Sequence, residues 1–223
     1  MKKLEALLFD LDGTLLDSAP DILQGMNRML ADNGRAPISL EQLKSFIGDG
    51  MMPLCKRSLE ATGGVPEGDI FPYVQAFIAH YRQVKPDPSQ IFPYVREALE
   101  KLKAKGVKLG VCTNKNEGPT LYLLEALDLI KYFGFVAGGD TFTVHKPNPG
   151  HILGVLEALD VSPAAAVFVG DGVNDVVAAG RANLPCIVVS HGYARDYEEL
   201  GGSILIDGMD KLEAAIKELG FQY

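Results

Sequence analysis

One stretch near the start of the chain constrains the rest: Leu7-Leu8-Phe9-Asp10-Leu11-Asp12-Gly13-Thr14-Leu15-Leu16-Asp17-Ser18. The apolar run from Leu4 to Phe9, broken only by Glu5, reads as a strand buried on both faces, as in a parallel sheet. It leads into two aspartates at i and i+2, which the period of a strand points the same way. Gly13 and Thr14 then turn the chain. Two carboxylates aimed into one pocket repel each other, and a divalent cation, a shared proton or a covalent task is the usual answer. Asp-x-Asp is also common in solvated turns, so the remaining sequence has to decide.

From Ala19 onward the pattern is helical. Ile22, Leu23, Met26, Met29 and Leu30 form a stripe closed by Asn33-Gly34. Ser39-Leu40-Glu41-Gln42 predicts a capping box that opens a helix to about Ile47. Further helices are expected over about 52–62 and 67–84, and Pro86-Asp87-Pro88 punctuates their end. Strands and helices then alternate. Strands are expected near 107–112, 133–137, 165–169, 186–189 and 204–206, with helices near 93–105, 119–127, 149–159, 174–182 and 209–219. Such alternation means right-handed crossovers and a doubly wound parallel sheet. The expected architecture is therefore an α/β core, residues 1–18 and 88–223, with an all-helical domain, residues 19–87, inserted between hinges near Asp17–Pro20 and Pro86–Pro88.

In open α/β sheets ligands lie beyond the carboxyl ends of the strands, and four of those ends carry chemistry. The first holds Asp10 and Asp12. The second holds Thr113-Asn114-Lys115, whose hydroxyl and amide suit phosphate oxygens. The loop after the third offers His145-Lys146-Pro147, and the fourth ends in Gly170-Asp171-Gly172-Val173-Asn174-Asp175. Four carboxylates in one crevice are costly: like charges near 4 Å repel by roughly 4 kcal/mol even at an effective dielectric of about 20. If they converge, one lysine does not offset them, and a hard dication such as Mg²⁺ is required.

These motifs, in this order and on these elements, resemble the haloacid dehalogenase-like phosphatase superfamily. The likeness is carried by Asp10-x-Asp12-Gly13-Thr14, Thr113-Asn114, Lys146-Pro147 and Gly170-Asp171-x-x-x-Asp175. It spans almost the whole chain, and the helical insert fits the subgroup with a helical cap. The resemblance implies phosphoryl transfer from a C–O–P ester, because Asp12 stands where phosphatases and phosphomutases keep an acid/base. It makes Asp10 the nucleophile, Asp12 the proton carrier, and Thr113 and Lys146 the holders of the phosphoryl oxygens. It assigns Mg²⁺ to Asp10, the Asp12 backbone carbonyl and Asp171, with Asp175 as a further ligand or support. Gly13, Thr14, Asn114, Gly48 and Arg57 are expected to line the substrate site.

Within the family the length, Phe46-Ile47-Gly48-Asp49-Gly50, Lys115 and the Ser190-His191-Gly192-Tyr193 turn are most similar to bacterial phosphoglycolate phosphatases. Asp49 departs from that pattern, since relatives often carry an amide there. β-Phosphoglucomutases, nucleotidases, pyrophosphatases and sugar-phosphate phosphatases share the same implied core, so several substrates stay open. A non-enzymatic phosphoacceptor switch is the rival of another class, although its acceptor does not end a first strand and it lacks a large insert.

The implied partner is a small phosphorylated metabolite. A net charge of −8, from 21 Lys and Arg against 29 Asp and Glu, argues against nucleic acid and anionic membrane. Three widely spaced cysteines, Cys55, Cys112 and Cys186, and the absence of a membrane-length apolar run lead to the expectation of a reduced, cytoplasmic protein. Monomer and homodimer both stay open. Tyr73, Phe77 and Tyr81 read as a packing stripe; His80, His145 and His151 show no metal-binding spacing.

Overall fold

The computed structural model describes residues Met1–Tyr223. Strands β1 (Lys2–Lys3) and β2 (Ala6–Phe9) precede helices α1 (Ala19–Asp32), α2 (Leu40–Lys44), α3 (Met51–Glu60) and α4 (Phe71–Tyr81). Then follow α5 (Val95–Ala104), β3 (Lys108–Cys112), α6 (Glu117–Ala126), β4 (Phe135–Ala137), α7 (Pro149–Ala158), β5 (Ala166–Gly170) and α8 (Val173–Arg181). The chain closes with β6 (Cys186–Val189), β7 (Ile204–Ile206), α9 (Leu212–Glu218) and β8 (Phe221–Gln222). It forms two compact units, Met1–Asp17 with Pro88–Tyr223, and Ser18–Asp87.

The larger unit is a six-stranded sheet in the order β4-β3-β2-β5-β6-β7, parallel at every pairing. The expected α/β fold is thus present. Alternation along the strands divides its core into two layers. Leu7 and Phe9 of β2, Leu109 and Val111 of β3, Val167 and Val169 of β5, and Ile187 and Val189 of β6 face the layer that holds Leu99 of α5, Leu123 of α6 and Ile216 of α9. Ala6, Leu8, Cys112, Phe168 and Val188 face the layer that holds Val155 of α7 and Ala178 of α8. Helices on both faces explain why the strands lack polar alternation. β2 is central, with Phe9 level with Val111 on one side and Val169 on the other. Asp10 therefore emerges between the ends of β3 and β5.

In the smaller unit α1 packs on α4 so closely that a Cβ on Gly25 would lie 3.1 Å from the Tyr81 backbone. Met26, Met29, Leu30, Leu54, Leu59, Val74 and Phe77 are buried, and Phe77 stacks on Tyr81 with ring centroids 5.7 Å apart. Phe77 and Tyr81 of the aromatic stripe therefore pack on each other. The capping box is present: Ser39 Oγ accepts from Gln42 N at 3.1 Å and Gln42 Oε1 accepts from Ser39 N at 2.9 Å. Arg35 ties off α3 by donating to the Leu59 and Thr62 carbonyls. No helix is long and apolar enough to cross a membrane.

Several boundaries differ from the sequence expectation for local reasons. The helix expected from residue 67 starts at Phe71, because Gly68 sits at φ +99° and Asp69 Oδ1 accepts from Phe71 N. That expected from 93 starts at Val95, after Tyr94 in the left-handed region at φ 64°. A short 3₁₀ turn, Met209–Lys211, precedes α9. The small sheet of β1 and β8 was not expected at all; it pairs Lys2 with Phe221 and Lys3 with Gln222 in parallel.

Candidate active site

Asp10 continues the ladder of β2, donating its N–H to the Val169 carbonyl at 2.9 Å. Its carboxylate, Asp171 and Asp175 each present an oxygen, all within 4.8 Å of one another. Sequence reasoning named all three, and the fold brings them together.

Asp171 is held from both sides. Thr14 Oγ1 donates to its Oδ1 at 2.9 Å, and the Tyr193 amide donates to its Oδ2 at 2.8 Å. Two glycines make room for it: a Cβ at Gly13, which adopts φ +87°, or at Gly192 would run into the Asp171 side chain. Thr14 and Gly13 thus serve the acidic cluster in this geometry. Asp175 reaches back across the turn that starts α8, its Oδ2 accepting from Asp171 N at 3.1 Å and Gly172 N at 3.0 Å. Its other oxygen accepts from Lys146 Nζ at 2.5 Å.

Lys146 is the buried counter-charge, with 1% of its side chain exposed. Its Nζ stands 3.0 Å from Asp10 Oδ1 and 5.1 Å from the centre of the Phe168 ring. Burial opposes the ammonium, but Asp10 and Asp175 together outweigh that and hold Lys146 above the ordinary lysine value. Burial pushes Asp10 up to about 6, with Lys146 pulling it down and Asp175 adding to the rise. Burial and then the charges of Asp175 and Asp10 raise Asp171 well above the usual carboxylate range.

Asp12 turns to a second cation. Lys115 Nζ lies 3.0 and 3.3 Å from its two carboxylate oxygens, and the two side chains are only 9% and 11% exposed. Sequence reasoning counted one lysine; the crevice holds two. Four carboxylates against two ammonium groups still leave two surplus negative charges. The surplus, together with an Asp10 Oδ1 that is buried without a well-directed hydrogen bond, fits a hard dication held by carboxylate oxygen.

Thr113 is buried just past the end of β3, and its Oγ1 accepts from Lys115 N at 3.3 Å. Asn114 donates Nδ2 to the Lys146 carbonyl at 2.8 Å and so joins the end of β3 to the loop that carries Lys146. In the helical unit Arg57 donates to the Phe46 carbonyl at 2.9 Å and pairs with Asp49. It is therefore tied to the turn that carries Gly48 at φ +127° and Gly50 at φ +88°. The roles of Tyr193 and Thr14 toward Asp171 were missed, since hydrogen bonds spanning 22 and 157 residues leave no local pattern.

The family model for haloacid dehalogenase-like hydrolases matches residues 7–189. A phosphoglycolate phosphatase of Agrobacterium fabrum is 39% identical over 95% of this chain and 91% of its own length. One from Rhodospirillum rubrum is 37% identical over 93% of this chain and 89% of its own. Among solved structures, CbbY from Rhodobacter sphaeroides in complex with phosphate superposes with a TM-score of 0.80 at 26% identity, covering 94% of this chain and 96% of that one. The strand order, the four motif-bearing strand ends and these likenesses agree, and the chain belongs to the haloacid dehalogenase-like hydrolase family.

Proposed function

We propose that this chain is a Mg²⁺-dependent phosphatase that hydrolyses a small phosphomonoester, 2-phosphoglycolate, to glycolate and phosphate through an aspartyl-phosphate on Asp10. The observation that carries the reading is the unequal pair at the end of β2. Asp10 joins Asp171, Asp175 and Lys146, while Asp12 is held apart by Lys115. This asymmetry supports giving nucleophilic attack to one carboxylate and proton transfer to the other.

In this reading an Asp10 carboxylate oxygen attacks phosphorus, the bond to the leaving alcohol breaks, and Asp12 gives that oxygen its proton. Water then attacks the phosphorus of the aspartyl-phosphate as Asp12 takes back a proton, and phosphate leaves with Asp10 restored. Thr113, whose hydroxyl oxygen accepts from Lys115 N and whose proton stays available, and Lys146 hold the phosphoryl oxygens. Asp10, the Asp12 carbonyl and Asp171 would hold Mg²⁺, with Asp175, one oxygen of which already faces the Lys146 ammonium, as a further ligand or support. When bound, the ion supplies positive charge to the transferring phosphoryl group. The relatives named as phosphoglycolate phosphatases support the substrate.

The test is phosphate release from a panel of esters, including 2-phosphoglycolate, sugar phosphates, nucleotides and pyrophosphate, with Mg²⁺ and with a chelator. The expected result is Mg²⁺-dependent turnover with the highest kcat/KM for 2-phosphoglycolate. Higher values for several sugar phosphates would overturn the substrate, and no turnover of any ester would overturn the enzymatic reading.

A further inference from the structure

We propose that Lys115 recognises a carboxylate on the leaving alcohol and so selects esters whose alcohol is an α-hydroxy acid; this rests on the phosphatase reading above. The inference starts from position. Lys115 Nζ touches both oxygens of Asp12, the group assigned to the leaving oxygen. An ammonium within hydrogen-bond reach of that carboxylate also lies beside the atoms that follow the ester oxygen. In an ester of glycolate, the carboxylate carbon is two bonds from that oxygen, so the anion and the ammonium fall in the same part of the crevice.

The other lysine is unsuited to this task. Lys146 is buried and engaged by Asp10 and Asp175. Lys115 keeps a small exposed surface, 9% of its side chain, on a four-carbon stem that can swing from Asp12 to an arriving anion.

The backbone beneath that stem is firmly held. The Lys115 carbonyl accepts from Gly139 N at 2.9 Å and its N–H donates to Thr113 Oγ1. The next residues are fastened to the loop after β4: Asn116 Nδ2 donates to Asp140 Oδ2 at 2.9 Å, and Glu117 N to Asp140 Oδ1 at 2.7 Å. A fixed base that carries a single ammonium is what discrimination by charge needs. A substrate with a carboxylate gives the dehydrated ammonium a second partner. One with a methyl group in that place leaves it facing an apolar atom, the arrangement by which polar sites reject analogues.

The experiment compares 2-phosphoglycolate with ethyl phosphate, which carries a methyl group in place of the carboxylate, in the wild-type protein, K115M and K115R. K115M is expected to lose roughly 10- to 100-fold more kcat/KM on 2-phosphoglycolate than on ethyl phosphate, chiefly through KM, as for loss of a hydrogen bond to a charged group. K115R should keep part of the preference. Equal losses on both esters would overturn the proposal and leave Lys115 as a positioning residue for Asp12. A wild-type protein that hydrolyses neither ester would instead overturn the 2-phosphoglycolate reading on which the proposal rests. Thermal melting reports whether K115M folds, and K115Q gives the same comparison if it does not.

Discussion

The hydroxyl of Thr14 donates to Oδ1 of Asp171 across 157 residues of chain, at 2.9 Å and with Thr14 fully buried. The bond joins the turn after the first motif to the loop after β5. It leaves the orientation of Asp171 dependent on a residue that carries no charge.

Thr14→Val keeps the shape and removes the donor. Apparent Mg²⁺ affinity is expected to fall by about 10- to 100-fold, as for loss of a group that orients a ligand, while kcat at saturating Mg²⁺ stays near the wild-type value. Mg²⁺ titrations of phosphate release and of melting temperature measure both. An unchanged midpoint would show that the Tyr193 amide alone orients Asp171.

Asp10→Asn removes the nucleophile without changing its volume. Turnover is expected to fall by at least about 10³-fold. The variant's melting temperature without metal should not drop, because the amide relieves a carboxylate that burial has pushed up to about 6. Full activity would exclude Asp10 as the attacking group.

Lys146→Met leaves Asp10, Asp171 and Asp175 together with no buried cation beside them. Breaking a buried pair from one side costs about 3–5 kcal/mol, readable by urea unfolding in chelator. Added Mg²⁺ should restore part of that loss. If the ion has no effect, the three carboxylates do not form its site.

His151 makes stability depend on pH. Burial first, then the Lys146 ammonium, lowers its pKa from 6.5 to about 4. The unfolded chain therefore binds more protons than the folded one between those values, so stability is present above about 6.5 and is lost as pH falls toward 4. The effect is at most about 3 kcal/mol. In His151→Leu the decline across this window should flatten; an identical slope would assign the acid sensitivity to other groups.

The parallel sheet and the acidic cluster were legible because each is written in short-range pattern. Leu7–Phe9 is apolar without a break, Asp10 stands at its carboxyl end, and Asp175 follows Asp171 by one helical turn; the shared direction expected of Asp10 and Asp12 is not kept, since Asp12 turns to Lys115. The partner of Lys115 was not legible. A long side chain can reach many groups, and only the register of β2 beside β3 sets it against Asp12, 103 residues away. Arg57 shows the converse. Its charge reads as one for a substrate anion, and its pairing with Asp49, eight residues earlier, is not written in that charge. Helix ends failed where one residue leaves the right-handed region, as at Tyr94 and Gly68.

The pairing of β1 with β8 has a mechanical consequence. Lys2 N donates to the Gly220 carbonyl and Leu4 N to the Gln222 carbonyl, both at 2.7 Å, so the two chain ends are tied side by side. Because the strands are parallel, tension applied between the termini loads these bonds in shear, all at once, instead of peeling them one after another. A tether or fusion at either end would therefore pull on a clasp before it reaches β2. The clasp shields from external load the strand on which Asp10 is mounted.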